Sequence, residues 1–182
     1  MKFFKIAVVS FFIFFLYGCA SAAKMENMAY TDTNTSIKDF DPTLHNAIGV
    51  EQSIGGESTN SAWTSEIGNI DFTNAVKSSL SAHGLFSDTG RFVLKINLIN
   101  VEQPLFGIDM TVITYIRYRL TDSQTKMTIF DETIIASYTA TFSDAFLGTD
   151  RLKMANEGSG KENIKGLIEK LEKLETLKIK PL

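Results

Sequence analysis

The sequence predicts an α+β domain of two layers, in which an antiparallel meander of three to four strands carries two helices on one face. Three consecutive segments between residues 91 and 142 alternate apolar and polar residues with the period of two typical of strands, and short loops join them. The segments before and after them repeat apolar residues with the helical period of 3.6. A helix with one apolar stripe needs a surface to cover, and the meander supplies that surface.

Residues 1–18 have the composition of a secretory signal peptide. Lys2 and Lys5 come first, and an apolar run from Ile6 to Leu16 follows them. The run of about 11 residues is well short of the ~20 that span a bilayer core as a helix. We therefore expect this segment to direct export and not to form a membrane-spanning anchor.

The end of this segment, Leu16-Tyr17-Gly18-Cys19, resembles the lipobox of bacterial lipoproteins. In that family the cysteine thiol is joined to a diacylglycerol, the signal is cut before the cysteine, and the new amine can take a third acyl chain, such as palmitate. Cys19 is the only cysteine of the chain, so no internal disulfide is possible and lipidation gives this thiol a use. The alternative is an ordinary signal with Cys19 near the cut. Ala20 stands where inner-membrane lipoproteins often carry Asp, so the resemblance implies an outer-membrane anchor facing the periplasm.

The rest of the chain divides at about residue 46. Residues 19–46 have little apolar periodicity and are predicted to be a lipidated flexible tether, and residues 47–182 are predicted to be a single domain. The signal holds two of the 18 basic residues and none of the 21 acidic ones, which leaves a net charge of −5. This charge argues against nucleic acid as a partner.

The elements outside the meander follow from local patterns. Residues 47–54 form a weak first strand that ends at Gly55-Gly56. Residues 69–83 form a helix with an apolar stripe that Gly84 ends. A last helix begins near Asp150, and Gly158-Ser159-Gly160 predicts a kink or a weak point in it.

The meander consists of strands at residues 91–102, 109–120 and 127–142. In the first of them the alternation blurs at Ile99 and Val101, as a bulge or a strand end would produce. In the middle strand the predicted inner face holds Met110, Val112, Ile116, Tyr118 and Leu120. The predicted outer face holds Thr111, Ile113, Tyr115, Arg117 and Arg119.

Residues able to carry catalysis are few. The two histidines, His45 and His83, show no metal-ligand spacing, and His83 is expected to interact with the dipole at the end of its helix. Asp144 and Asp150 flank an apolar loop and could form a site, although a turn and a helix cap explain them more simply. We therefore predict that the protein is not an enzyme and has no metal or cofactor.

The outer face of the middle strand is the candidate interface. Its aromatic, aliphatic and cationic side chains are Ile113, Tyr115, Arg117 and Arg119. Arg and Tyr are typical interface anchors, and such a row can meet a protein partner or acidic lipid or sugar groups. The alternative is a solvated face with cross-strand charge pairs to Glu132. Trp63 and Phe146 lie on loops and could add to the interface or simply cover the edge of the core.

Several stretches resemble a group of small, mostly uncharacterised bacterial lipoproteins. They are Trp63 to Leu85, Gly107 to Val112, Tyr138 to Phe146, and Arg151 to Gly158 followed by Glu162-Asn163-Ile164. The architecture is similar to that of YajG-type and lipopolysaccharide-assembly lipoproteins, and no catalytic motif comes with either resemblance. Some members of the group are labelled UDP-N-acetylglucosamine acyltransferases, but those enzymes as a class carry hexapeptide repeats, and this chain has none.

Taken together, these patterns favour a non-enzymatic lipoprotein, anchored to the membrane through Cys19, that acts as an adaptor or assembly factor with a protein partner in an envelope complex. A second hypothesis is a carrier or sensor that holds a lipid or glycan in a groove between the sheet and the helices. A third is an envelope acyltransferase or hydrolase, which would need a nucleophile and base that the sequence does not show.

Overall fold

The computed structural model describes residues 21–31, 39–57 and 65–174. The helices are α1 (Met25–Met28), α2 (Asn69–Ala82) and α3 (Gly148–Glu172), and a short 3-10 turn covers Pro42–Leu44. The strands are β1 (Ile48–Val50), β2 (Phe92–Glu102), β3 (Met110–Asp122) and β4 (Thr128–Ala140). The signal peptide, Cys19 and Trp63 lie outside the described residues, so what the sequence predicts for them stays a prediction.

The four strands form one sheet in the order β1-β2-β3-β4. The predicted meander is confirmed, because β2, β3 and β4 pair with their neighbours antiparallel. The weak first strand also forms, but it is short and pairs with β2 in parallel, so that α2 becomes the connection between two parallel strands. The irregularity expected in β2 is present as a shift of register between Leu98 and Asn100.

Helices α2 and α3 cover the same face of the sheet, which confirms the predicted α+β class. Phe72 and Leu80 from α2 and Leu167 from α3 are fully buried. They belong to one core cluster with Leu94 of β2 and Tyr118 of β3. This burial is the main source of the domain's stability, since each large apolar side chain contributes about 1.5 to 3 kcal/mol when it leaves water.

Helix α3 continues through Gly158-Ser159-Gly160 without a break. The glycines instead allow close contacts. A methyl group at Gly158 would overlap the ring of Tyr138, and one at Gly166 would come within 2.9 Å of Cγ2 of Ile134. Small residues at these positions therefore bring α3 close to β4.

The N-terminal part of the chain differs from the flexible tether that the sequence predicts. Residues 21–31 and 39–46 pack on the domain, where Met28 and Leu44 are fully buried. Glu157 of α3 accepts hydrogen bonds from the backbone N of Lys24 at 3.0 Å and from Nδ2 of Asn27 at 2.8 Å. The apolar residues of this region are too widely spaced to produce a periodic pattern, which is why the sequence favoured a flexible segment.

Candidate interface on the open face of the sheet

The face of the sheet opposite the helices carries the candidate interface. Along β3, the side chains predicted to face the core are buried, and those between them are exposed or half-buried. The predicted inner and outer faces of this strand are therefore confirmed. Arg117 and Arg119 have side chains that are 47% and 45% exposed. The alternation of the strand thus presents both guanidinium groups to solvent on one side of the sheet.

Asp131 of β4 binds both arginines. Its Oδ1 accepts from Nε of Arg117 at 2.6 Å, and its Oδ2 accepts from Nη2 of Arg117 at 2.8 Å and from Nε of Arg119 at 2.7 Å. The hydrogen bonds from Arg117, followed by those from Arg119, lower the pKa of Asp131 to about 2. Two cations share one anion, so the cluster keeps an excess of positive charge.

The alternative interpretation, a face with cross-strand charge pairs, named the wrong acidic residue, because the arginines pair with Asp131 and not with Glu132. Neighbouring residues of a strand point to opposite faces, and Glu132 lies on the helical side, where its carboxylate pairs with Nζ of Lys170 at 2.6 Å. Asp131 takes the expected role because it lies directly opposite Arg119 in the register. Asp131 and Glu132 are adjacent in the sequence, and only the register between β3 and β4 determines which of them faces the arginines.

Polar groups of β2 extend the cluster toward the edge of the sheet. Lys95 and Asn97 are the register partners of Arg119 and Arg117. Together with Ile54 these four residues line a shallow depression on the outer face. Nζ of Lys95 is 3.3 Å from a carboxylate oxygen of Glu51, and both groups are more than half exposed. Such an exposed pair contributes little to stability, which leaves Lys95 available to a partner.

The other end of the row is less charged. Tyr115 lies opposite Asn100 on β2 and opposite Ile135 on β4, and Ile113 lies opposite Ser137. Ile135 is 60% exposed and adds an apolar group that the sequence analysis missed. It could have been found from the alternation of β4, where Ile135 has the opposite phase to the buried residues. The outer face thus combines a cationic end with an aromatic and aliphatic end.

Phe146 does not join this row. It lies on the loop after β4, is 80% exposed, and contacts the ring of Phe142 edge-on with centroids 5.8 Å apart. That loop is at the end of the sheet where β3 begins with Met110, about 20 Å along the strand from Arg117. The structure therefore separates Phe146 from the arginines.

Two of the residues weighed for catalysis, His83 and Asp144, make structural contacts. The ring of His83 is buried, stacks on Tyr30 with centroids 5.7 Å apart, and has Nδ1 2.7 Å from the carbonyl oxygen of Ser79. Asp144 accepts from the backbone N of Thr141 at 2.7 Å, which lowers the pKa of the Asp144 carboxyl. The turn that the sequence favoured for Asp144 is thus confirmed.

Neither a metal-binding cluster nor a membrane-spanning helix is present in residues 21–31, 39–57 and 65–174. Within these ranges, no group of three or more His, Cys, Asp or Glu side chains is arranged to hold a metal ion. In the same ranges, no helix has the length and hydropathy needed to cross a membrane.

The space between α3 and the sheet is occupied by buried polar side chains. Asn163 accepts from the hydroxyl of Tyr118 at 3.0 Å and donates to Oγ1 of Thr114 at 3.1 Å. Asn163 also donates to the carbonyl oxygen of Ile134 at 2.9 Å. Both the oxygen and the nitrogen of this amide are thus hydrogen-bonded within the protein. A ligand in a groove at this position, as the carrier hypothesis requires, would have to displace them.

The same fold occurs in several solved bacterial structures. A Xanthomonas campestris protein of the family DUF330 superposes with a TM-score of 0.53 and 12% identity, over 70% of this chain and 86% of its own. A Caulobacter crescentus protein described as a "putative lipoprotein" gives 0.52 and 13%, over 77% and 96%. A Chlamydia trachomatis protein described as hypothetical gives 0.52 and 8%, over 71% and 96%. At these identities the likeness shows the fold alone.

Comparison at the level of sequence gave no match, either to a protein-family model or to a curated protein. The chain therefore shares its architecture with these bacterial proteins, while its sequence differs from theirs at most positions.

Proposed function

We propose that the protein is a lipoprotein of the bacterial envelope, acylated at Cys19 and held at the periplasmic side of the outer membrane. Its domain acts as a non-enzymatic adaptor or assembly factor that binds another envelope protein through the open face of the sheet. The lipobox at residues 16–19 supports the anchor. The shared fold with a protein described as a putative lipoprotein agrees with it.

The observation that carries the adaptor role is the arrangement of charge on the outer face. Arg117 and Arg119 bind one carboxylate from one side, so each retains donors that point to solvent. A planar guanidinium group pairs well with carboxylates, and Tyr115 beside it adds aromatic contact area. The face therefore suits a protein partner with acidic side chains at one end of its contact surface and apolar side chains at the other.

The test is site-specific crosslinking in cells. A photoreactive amino acid is placed at Tyr115, on the proposed interface, and at Lys161, which is exposed on α3 at the other side of the domain. We expect Tyr115 to capture a discrete envelope protein that Lys161 does not capture. The combined change Arg117→Glu and Arg119→Glu should abolish that product. Lys161→Glu, a charge reversal on the helical layer, should leave it intact.

The anchor has its own measurement. The intact mass of membrane-extracted protein should show a mature chain that begins at Cys19 and carries acyl groups, and Cys19→Ala should remove them. Equal crosslinking from Tyr115 and Lys161, or a product unaffected by the arginine changes, would refute the adaptor role. An unacylated mature chain would refute the anchor independently of that result.

A further inference from the structure

Two neighbouring loops at one end of the sheet expose large apolar side chains to solvent. One loop follows β2 and the other follows β4, so the antiparallel order of the strands places them at the same end. The side chains, which we call the apolar tip, are Leu105, Phe106, Ile108, Phe142, Phe146 and Leu147. Leu105 is 93% exposed and Phe106 is 87% exposed. Apolar groups so close together and so open to water mark a surface that contacts another phase or molecule.

Arg151 of α3 holds both loops in place. Its Nη1 donates to the carbonyl oxygens of Ala145 and Phe146 at 2.7 and 2.8 Å, and its Nη2 is 3.4 Å from the carbonyl oxygen of Gly107. The residue is 6% exposed, so these bonds form away from water. The backbone N of Phe142 donates to Asp109, which ties the second loop to the first. The tip is therefore preorganised, which reduces the entropy lost when it binds.

The N-terminal end of the described chain lies beside this tip. The carbonyl oxygen of Ser21 accepts from Oγ of Ser65 at 2.7 Å, and the carbonyl oxygen of Ser65 accepts from Nε2 of Gln103 at 3.1 Å. Gln103 begins the loop that carries Leu105 and Phe106. Cys19 is two residues before Ser21, so the chain keeps their Cα atoms within about 7 Å.

The charges of the two loops favour contact with an uncharged membrane surface over an anionic one. The two loops, residues 103–109 and 141–147, contain two aspartates and no lysine or arginine. Asp109 and Asp144 already accept hydrogen bonds from loop backbone N–H groups. Attraction to anionic lipid therefore has no source in these loops, while burial of Phe and Leu side chains in an apolar phase is favourable.

We propose that the apolar tip inserts into the same bilayer leaflet that receives the acyl chains of Cys19. This inference rests on the proposed lipid anchor and adds the orientation of the domain. With the tip in the bilayer, the strands extend from the membrane into the aqueous phase. The residues of β3 near Arg119 are then far from the bilayer. The domain then has a fixed pose on the membrane, with its open sheet face turned sideways.

The test uses the mature acylated chain in vesicles of phosphatidylcholine and phosphatidylethanolamine with brominated acyl chains. Tryptophan replaces Phe106 in one variant and Met127 in a matched control, because Met127 is also exposed but lies in the turn between β3 and β4 at the opposite end. The same measurement on the wild type gives the background quenching of Trp63, the native tryptophan. We expect bromine quenching above that background for Phe106→Trp and no added quenching for Met127→Trp.

Aqueous acrylamide gives the complementary readout. On reconstitution, acrylamide quenching of Phe106→Trp should fall about twofold or more while that of Met127→Trp stays unchanged. Because insertion is apolar, the result should not change when the salt concentration rises from about 0.1 M to 0.5 M. Equal bromine quenching of both variants, or a tryptophan at position 106 that stays open to acrylamide, would overturn the inference.

The outcomes separate this inference from the proposed function. A chain with acyl groups at Cys19 and no added quenching at position 106 refutes insertion and leaves the anchor in place. A tip that becomes protected only when another envelope protein or a second copy of the chain is added assigns the surface to that partner and refutes bilayer insertion. An intact mass without acyl groups refutes the anchor and the inference together.

Discussion

Gly158 of α3 lies directly against the ring of Tyr138 in β4, with space for its hydrogen atom and none for a methyl group. The contact is made by a residue in the middle of a helix, where glycine is otherwise unfavourable by about 1 kcal/mol relative to alanine. The close approach of helix and strand therefore explains a residue that helix propensity alone would exclude.

Gly158→Ala should lower the free energy of unfolding by about 1 to 2 kcal/mol, because overlap with Tyr138 outweighs the gain in helix propensity. In a Tyr138→Ala background the same change should become stabilising by about 1 kcal/mol. Urea denaturation of the four proteins of this cycle measures both values. Gly148→Ala is the matched control, since a methyl group there makes ordinary contacts of 3.5 Å or more. A Gly158→Ala effect with the same sign in both backgrounds would contradict the steric explanation.

The amide of Asn163 is the second point that can be tested. Asn163→Ala leaves the buried hydroxyl of Tyr118 and the carbonyl oxygen of Ile134 without this partner, and we expect a loss of about 2 to 3 kcal/mol in stability. Tyr118→Phe, which removes only the hydroxyl, should cost about 1 kcal/mol. Thermal or urea unfolding of the single and double variants gives the coupling between the two residues. Additive effects would show that the hydrogen bond between them contributes nothing.

Glu157 should control whether the N-terminal segment stays attached to the domain. Glu157→Ala removes the acceptor for Lys24 and Asn27, so amide hydrogen exchange in residues 24–29 should become faster and trypsin should cut more readily after Lys24. Glu162→Ala is the control, because Glu162 is exposed on the same helix and its ion pair with Lys165 is 3.9 Å long. If both variants exchange alike in the segment, Glu157 does not hold it.

Acid should destabilise the domain through two carboxylates. The hydrogen bonds from Arg117 lower the pKa of Asp131 to about 2, and those from Arg91 hold the pKa of Asp122 far below its usual range. A pKa that is lower in the folded state adds stability above the unfolded value of about 4, and this stability is lost as the pH falls toward the folded value. Urea denaturation should therefore show stability falling from about pH 4 to pH 2.

The two carboxylates can be separated by substitution. Asp131→Asn and Asp122→Asn should each flatten the decline of stability in this acid range, because each removes one group with a lowered pKa. The Asp122 change should have the larger effect, since its side chain is fully buried while that of Asp131 is 23% exposed. An acid profile that both variants share with the wild type would exclude these carboxylates as its cause.

Most of the domain could be predicted from the sequence because its signals are local. The alternation of β3 fixed the inner and outer faces, and the apolar stripe from Phe72 to Leu80 identified α2. The candidate row at Ile113, Tyr115, Arg117 and Arg119 also follows from alternation alone. These features depend on neighbours within a few residues, which is the range over which sequence periodicity carries information.

Features set by distant pairing could not be predicted in the same way. The choice of Asp131 over Glu132 depends on the register between β3 and β4, and the packing of Met28 against Gly160 depends on residues far apart in the chain. The apolar tip could not be predicted as a whole because its members belong to two loops, and only the apolar loop around Phe146 stands out in the sequence. The apolar residues of the stretch Leu105-Phe106-Gly107-Ile108 could have signalled it, since loops that join strands usually carry polar residues.

The attachment of the first described segment to the last helix also affects when the protein can fold. Asn27 and Glu157 are 130 residues apart, so the segment that contains Met28 completes its contacts only when nearly the whole chain is available. Contacts of such long range are slow to form because they close a large loop. In the proposed export, the chain would cross the inner membrane from its N-terminus, and this segment would lack its contacts with α3 during translocation. Folding would be completed only on the far side, after α3 has followed.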